Sequence, residues 1–196
     1  THKTSSAASD VYKRQVAIFP YTPQNLKNVD GKEALNPKNL VCRSLQKLKS
    51  HSPDFGIMCD VALDPYTDHG HDGIMNDDGK ILNDETNEIL IRQSKLFASH
   101  GADVIAPSDM MDGRVGLIRS ALEENNFKDT LILSYTAKYA SSMYSPFRNA
   151  VGSSSNLKAN KRTYQMNVFN SDEAIREALI DIKEGADMIM VKPGIS

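Results

Sequence analysis

The segment GIMCDVALDPYTDHGHDG (residues 56–73) decides the fold class of this 196-residue chain. Its first eight residues are almost continuously apolar, which is typical of a strand covered on both faces, as in a parallel sheet. Four aspartates and two histidines lie within residues 60–72, three of the aspartates after the apolar run. Chemically active groups that follow the carboxyl end of a buried strand are the usual arrangement in α/β enzymes.

The same pattern repeats along the chain. Further strands are predicted at VAIFPY (16–21), ADVIAP (102–107), TLILSYTAK (130–138) and ADMIMVK (186–192). Helical patterns separate them, starting at Pro37, running from Asn83 to about His100, from Gly113 to Asn125, and from Ser171 to Gly185. These units predict an α/β protein, either a (β/α)₈ TIM barrel or a doubly wound sheet. No Gly-x-Gly-x-x-Gly turn follows a strand, which disfavours the dinucleotide-binding form of the second.

Composition excludes several classes of partner. The net charge is −2 and the chain has no block of like charge, so nucleic acid and anionic membranes are not expected to bind. The longest apolar runs, such as residues 188–191, are too short to span a bilayer. Cys42 and Cys59 alone make no disulfide framework, so we expect a reducing compartment such as the cytoplasm.

The first fifteen residues, THKTSSAASDVYKRQ, differ in composition from the rest. They contain one acidic residue and lack the apolar block of a signal peptide, although a transit peptide has a similar composition. Residues 5–15 resemble a reading frame of a sequencing adaptor. We therefore predict that residues 1–15 are non-native and that residues 16–196 are part of a TIM-barrel catalytic domain. A complete barrel needs roughly 250 residues, so the barrel is expected to be incomplete.

Two lysines are the first candidates for chemistry. Lys138 and Lys192 each close an apolar strand. Burial at that position lowers the pKa of an amine, and two ammonium groups at one barrel mouth repel each other, which lowers it further. A neutral amine can form a Schiff base with a carbonyl substrate. The alternative is that each side chain simply reaches solvent from the end of its strand.

Other polar residues follow the same strands. Arg148 and Lys161 are cations able to hold a substrate carboxylate, and Asp109 is a candidate acid–base group or lysine partner. Asp112 is predicted to cap the helix that begins near Gly113. The remaining candidates lie in the loop of residues 62–73, called the opening loop below. Asp64 and Asp72 carry hard oxygen ligands suited to Mg²⁺, but a polar turn is the more usual explanation of an Asp-rich loop.

Taken together, the motifs resemble one family. DVALDPYTDHGHDG, NDET, APSDMMDGR, YTAKYASSMYSPFR, TYQM and MVKPG occur in the order characteristic of the porphobilinogen synthase (5-aminolevulinate dehydratase) family, over essentially all of residues 16–196. The resemblance implies a (β/α)₈ barrel that condenses two 5-aminolevulinate molecules into porphobilinogen in tetrapyrrole (haem and chlorophyll) synthesis. It also implies a homo-octamer, located in the cytoplasm or in a plastid.

The resemblance assigns roles to particular residues. Lys138 and Lys192 would be the two Schiff-base lysines, with Lys192 holding the propionate-side substrate and Lys138 the acetate-side one. Arg148 and Lys161 would bind the acetate-side carboxylate, with Asp109 as an acid near Lys138. Glu177 would be the carboxylate of an allosteric Mg²⁺ site between subunits.

The opening loop is the part in which family members differ. Zinc-dependent relatives resemble this sequence but have cysteines at the positions of Ala62, Asp64 and Asp72. The loop therefore resembles the aspartate-rich branch that responds to Mg²⁺ or K⁺, and an active-site Zn²⁺ is not expected. Asp64 and Asp72 are candidates for binding a metal, or for positioning water and the Asp60 loop.

Two further expectations complete the interpretation. The rival enzyme class is a Schiff-base aldolase, which is also a barrel but needs only one lysine. From the family resemblance we expect that the N-terminal arm, an early strand and the last strands of the barrel are missing from this sequence. An open barrel exposes apolar edges, so we expect the 196-residue chain alone to be poorly stable and inactive.

Overall fold

The computed structural model describes residues 14–141 and 161–194. Within these ranges the strands are β1 (Gln15–Ile18), β2 (Gly56–Val61), β3 (Ile74–Met75), β4 (Ile81–Leu82), β5 (Val104–Pro107), β6 (Leu131–Lys138) and β7 (Met188–Lys192). The α-helices are α1 (Leu40–His51), α2 (Asn83–Ser99), α3 (Arg114–Glu124) and α4 (Ser171–Glu184). Short 3₁₀ turns lie at Gln24–Leu26, Lys32–Leu35 and Lys161–Thr163.

The main sheet has five strands in the order β1-β2-β5-β6-β7, and every neighbouring pair is parallel. Strands β3 and β4 form a small antiparallel pair in the loop that follows β2. Successive strands of the main sheet are spatial neighbours, with no reversal of direction in their order. A doubly wound sheet reverses its order at a switch point, whereas a barrel proceeds in one direction. The prediction of a (β/α) barrel, present in part, is confirmed.

The core lies between the sheet and its helices. Alternate residues of β2 (Ile57, Cys59 and Val61) are fully buried, and Ile105 and Ile132 continue that layer on the next two strands. The helices contribute the apolar residues Val41, Leu45, Leu90, Phe97, Val115, Ile118 and Leu122. This layer fixes the register of the strands, because a slip of one residue would turn the buried side chains to the opposite face.

Helix ends differ from the sequence prediction in two places. α1 begins at Leu40 and not at Pro37, because Asn39 is the N-cap and its side chain accepts a hydrogen bond from the Cys42 N–H at 2.8 Å. The predicted Asp112 cap is wrong, since the N-cap of α3 is Gly113 and no side chain caps it. The Asp112 backbone is instead held by α2, donating to Asn83 Oδ1 at 2.7 Å.

Helix α4 is joined to β6 by a buried carboxylate. Asp181 accepts hydrogen bonds from the hydroxyls of Ser134 and Thr136, at 2.7 and 2.6 Å. α4 begins at a capping side chain, Asn170, and ends at Gly185, whose φ of 104° is in the left-handed region. These contacts fix the position of the strand that ends in Lys138.

One face of α4 and much of the last strand, β7, are exposed to solvent. Ile175, Leu179, Ile182, Ile189 and Val191 are exposed, although all are large apolar residues. Among the helices of the described part of the chain, none combines the length and apolar character needed to cross a membrane.

Candidate active site

The two candidate lysines lie side by side. The parallel register of β6 and β7 pairs Lys138 with Lys192, and the Tyr139 N–H donates to the Lys192 carbonyl at 2.9 Å. Neighbouring strands of a sheet are about 4.8 Å apart. Both amines therefore start from adjacent positions at the carboxyl edge of the sheet.

Lys138 is buried in a polar environment. Only 8% of the residue is exposed, and its Nζ donates a hydrogen bond to the Ser108 carbonyl at the end of β5. The carboxylate of Asp72 lies on another side, with Oδ2 3.7 Å from Nζ. This amine therefore has a counter-ion within the site.

Lys192 has a more apolar environment. Its Nζ lies 5.1 Å from the centroid of the Tyr135 ring and 5.9 Å from that of Phe19. Burial lowers the pKa of Lys192, and the charge of Lys138 lowers it further, against the opposing effect of nearby aspartates. The predicted mutual repulsion of the two lysines is therefore present at Lys192, and a larger share of this amine is neutral near pH 7.

Two buried carboxyl groups in this region, those of Asp60 and Asp109, have raised pKa values. Burial raises the pKa of Asp60 to about 7, and the charge of Asp64 adds to the effect. Burial raises the pKa of Asp109 to about 6, although Arg114 opposes it. Asp109 Oδ1 accepts from the Met111 N–H at 2.7 Å and lies 3.4 Å from Arg114 Nε. Both groups can exchange a proton near neutral pH, as an acid–base catalyst must.

The two loop aspartates converge on Lys161. Lys161 Nζ lies 2.8 Å from Asp72 Oδ1 and 3.3 Å from Asp64 Oδ2. Burial would raise the pKa of Asp72, but the ammonium groups of Lys138 and Lys161 outweigh it and hold this pKa below its ordinary value. Burial raises the pKa of Asp64 in spite of Lys161. The ion pairs therefore alternate basic and acidic side chains, from Lys138 to Asp72, then to Lys161, and then to Asp64.

The Tyr164 hydroxyl contacts the end of the loop of residues 62–73, next to Asp72. Its hydroxyl accepts from the Asp72 N–H at 3.3 Å and lies 3.1 Å from His71 Nδ1. Burial, and then the charge of Asp72, raises the pKa of the Tyr164 phenol, so it remains protonated. Burial, the neighbouring His69 and Lys161 lower the pKa of His71. The phenol can therefore donate to a neutral imidazole while it accepts from the backbone.

The Asp64 and Asp72 pair does not fit a divalent metal. Mg²⁺ requires oxygen ligands at 2.0–2.1 Å in octahedral geometry, and here the ammonium of Lys161 lies between the two carboxylates. Across residues 14–141 and 161–194, no group of three or more His, Cys, Asp and Glu side chains is arranged to hold a metal ion.

The other two predicted site residues lie elsewhere. Arg148 is outside the described residues. Glu177 lines a cavity of about 520 Å³ between α4, the residues before α3 and the turn after Lys161, together with Glu173 and Glu184. Since Mg²⁺ often binds through one or two carboxylates and several waters, Glu177 is compatible with such an ion.

Sequence reasoning missed several partners of these residues. The pairing of Asp109 with Arg114, five positions further on, depends on the conformation of the segment before α3. The contacts of Tyr164 join residues more than 90 positions apart. Tyr164 lies in the TYQM motif, which is part of the family resemblance but to which the sequence assigned no chemical role. The ion pairs of Lys161 with Asp64 and Asp72 join residues 97 and 89 positions apart, and no spacing rule predicts them.

The fold and the site together define the class: a (β/α) barrel whose mouth carries two adjacent lysines among buried carboxyl groups. A sequence model of the family described as "Delta-aminolevulinic acid dehydratase" matches residues 2–196. The chain belongs to the delta-aminolevulinic acid dehydratase family. The matched range includes most of residues 1–15, whose non-native origin stays a prediction.

Individual relatives agree with this assignment. A delta-aminolevulinic acid dehydratase of Bradyrhizobium diazoefficiens is 55% identical over 180 residues, covering 92% of this chain and 51% of the relative. A chloroplastic delta-aminolevulinic acid dehydratase of Chlamydomonas reinhardtii is 53% identical over 188 residues, covering 92% of this chain and 48% of the relative. The chain thus spans about half the length of the curated relatives it matches.

A solved structure has the same fold. It is the crystal structure of delta-aminolevulinic acid dehydratase (porphobilinogen synthase) from Toxoplasma gondii in complex with the reaction product porphobilinogen. The TM-score is 0.89 at 49% sequence identity, over 91% of this chain and 51% of the other. The described strands therefore correspond to part of a larger barrel.

Proposed function

We propose that the full-length protein carrying this sequence condenses two 5-aminolevulinate molecules into porphobilinogen, as a lyase of tetrapyrrole synthesis. The observation that carries the proposal is the pairing of Lys138 with Lys192 at adjacent strand ends. Two amines within reach of each other can hold two copies of one ketone as Schiff bases, and family membership supplies the substrate.

The two lysines differ in environment, which suits an asymmetric condensation. Lys192 lies against aromatic rings and has a lowered pKa, so its neutral amine can attack a ketone. Lys138 has Asp72 as a counter-ion, which favours a protonated Schiff base once it has formed. We assign the propionate-side substrate to Lys192 and the acetate-side substrate to Lys138.

Proton transfer and substrate orientation involve the surrounding groups. A protonated Schiff base withdraws electrons and allows the adjacent carbon to lose a proton. Asp60 and Asp109, with pKa values of about 7 and about 6, are suited to exchanging protons during closure of the ring and loss of water. We assign Arg148 and Lys161 to the acetate-side carboxylate. Holding both substrates in one orientation replaces an encounter in solution by an intramolecular step.

Metal, assembly and location form the rest of the proposal. Glu177 would hold Mg²⁺, with K⁺ as a second activating ion; when bound, such an ion stabilises the surrounding structure electrostatically. We propose a homo-oligomer, an octamer as the family resemblance implies, without nucleic acid or membrane partners. Since the relatives include bacterial proteins and proteins named chloroplastic, the cytoplasm or a plastid is the proposed location.

Borohydride trapping tests the proposal on the full-length protein. Incubation with isotope-labelled 5-aminolevulinate and borohydride should label both Lys138 and Lys192, as read by mass spectrometry of peptides. Lys138→Met and Lys192→Met should each abolish porphobilinogen formation, and each variant should lose its own labelled peptide. Lys128→Met, at an exposed lysine before β6 and at the end of that strand opposite Lys138, is the matched control and should still form porphobilinogen.

The same experiment separates the rival function. A Schiff-base aldolase would label one lysine only and would keep its label when the other is replaced. Labelling of a single lysine together with the absence of porphobilinogen would reject the two-lysine mechanism.

A further inference from the structure

The carboxylates of Asp64 and Asp72 face the same point from the two ends of one loop. Asp72 is completely buried, and the side chain of Asp64 is 16% exposed. Two buried carboxylates at one point repel each other, and each loses the solvation of water. Such a pair requires a cation, and the usual choices are a metal ion, a proton or a basic side chain.

In this protein the cation is a side chain. The Lys161 side chain is 7% exposed, and its Nζ lies 2.8 Å from one carboxylate and 3.3 Å from the other. Burial alone would lower the pKa of Lys161, but the charges of Asp64 and Asp72 outweigh it and raise this pKa above its ordinary value. The ammonium therefore remains charged where it lies.

We propose that the Lys161 ammonium is the resident cation of the Asp64–Asp72 pair, occupying the position a divalent metal would need and keeping metal out of it. The two carboxylates and the two lysines around them, Lys138 and Lys161, sum to zero charge. A divalent ion at that point would lie within van der Waals distance of an ammonium nitrogen. Its binding would require Lys161 to leave.

This role is compatible with a contact to substrate. An ammonium group has three N–H donors, and the two aspartates use two of them. The third remains for a carboxylate, so Lys161 can be the resident cation and also contribute to the proposed substrate site. Exclusion of a metal ion from this point can be measured without turnover.

Manganese(II) is a suitable probe, because bound and free Mn²⁺ are distinguished by electron paramagnetic resonance. On the full-length protein, Asp64→Asn should leave the number of bound Mn²⁺ ions per chain unchanged, since the pair holds no metal. Lys161→Met should add about one Mn²⁺ per chain, because two buried oxygen ligands become available. The triple variant Lys161→Met/Asp64→Asn/Asp72→Asn should lose that added ion.

Controls keep the test decisive. Lys161→Arg retains the positive charge and should gain no Mn²⁺. Circular dichroism establishes that each variant is folded. The inference is overturned if Asp64→Asn loses one Mn²⁺ per chain, which would place a metal at the pair in the parent protein. It is equally overturned if folded Lys161→Met gains none. Should Lys161→Met fail to fold, Lys161→Gln, which also removes the positive charge, is measured in its place with the same expected gain of about one Mn²⁺ per chain.

Discussion

Asp181→Ala is expected to destabilise the protein by about 3 kcal/mol. The carboxylate of Asp181 is buried and accepts hydrogen bonds from Ser134 at 2.7 Å and Thr136 at 2.6 Å. Hydrogen bonds to a charged group contribute about 1.5–3 kcal/mol each, so the two amount to about 3–6 kcal/mol. Part of this loss is offset because the variant no longer buries a carboxylate, which gives the lower end of the range.

The assay is urea denaturation of the full-length protein, followed by far-ultraviolet circular dichroism at one fixed protein concentration. Thr136→Val removes one of the two hydrogen bonds and should cost about 1.5–3 kcal/mol. Lys183→Ala, at an exposed position of the same helix, should stay within about 0.5 kcal/mol of the parent. If Asp181→Ala also stays within that margin, the carboxylate does not anchor α4 to β6 and the reasoning is refuted.

Three further predictions concern the site. Gly73→Ala should cost about 2–3 kcal/mol of unfolding free energy in denaturation, because its Cβ would lie 2.6 Å from Thr86 Oγ1 in a packed region; an unchanged midpoint would contradict this. Asp60 has a pKa of about 7, above its unfolded value, so its contribution to stability is present at low pH and is lost as the pH rises through 7. Asp60→Asn should flatten that decline between about pH 4 and pH 7, and an equally steep decline would refute the assignment. Tyr164→Phe removes the hydroxyl that contacts His71 and the Asp72 N–H, and should lower the free energy of unfolding by about 1–3 kcal/mol. Thermal melting indistinguishable from that of the parent would show that these contacts do not stabilise the loop.

The fold was predictable because two local signals agree along the whole chain. Continuous apolar runs such as residues 56–63 and 130–138 mark strands covered on both faces, and helical patterns separate them. Strand ends were less certain: the first strand was predicted at 16–21 and forms at Gln15–Ile18. Where a strand ends depends on its neighbour, and β1 pairs with β2 only as far as Ile18.

The lysines were predictable for the same reason. Each ends a strand, and the carboxyl ends of parallel strands meet at one edge of the sheet. A barrel therefore places Lys138 and Lys192 at the same mouth. Their different environments were not predictable. Asp72 reaches Lys138 through a loop, and the Tyr135 and Phe19 rings reach Lys192 from other strands and connections. These contacts depend on loop conformation and side-chain packing, and the hydrophobic periodicity of the sequence predicts neither.

The opening loop shows how far composition alone can lead. An aspartate-rich stretch with two histidines suggests a metal site, and the carboxylates of Asp64 and Asp72 do converge. What decides their role is a residue almost a hundred positions away, Lys161, which brings a positive charge to the same point. The electrostatic requirement of the loop is the same in either case, since buried negative charge must be compensated. A lysine meets it with a fixed charge that cannot be removed by chelation. On this argument the loop should be insensitive to chelators, and any dependence on metal should arise at Glu177.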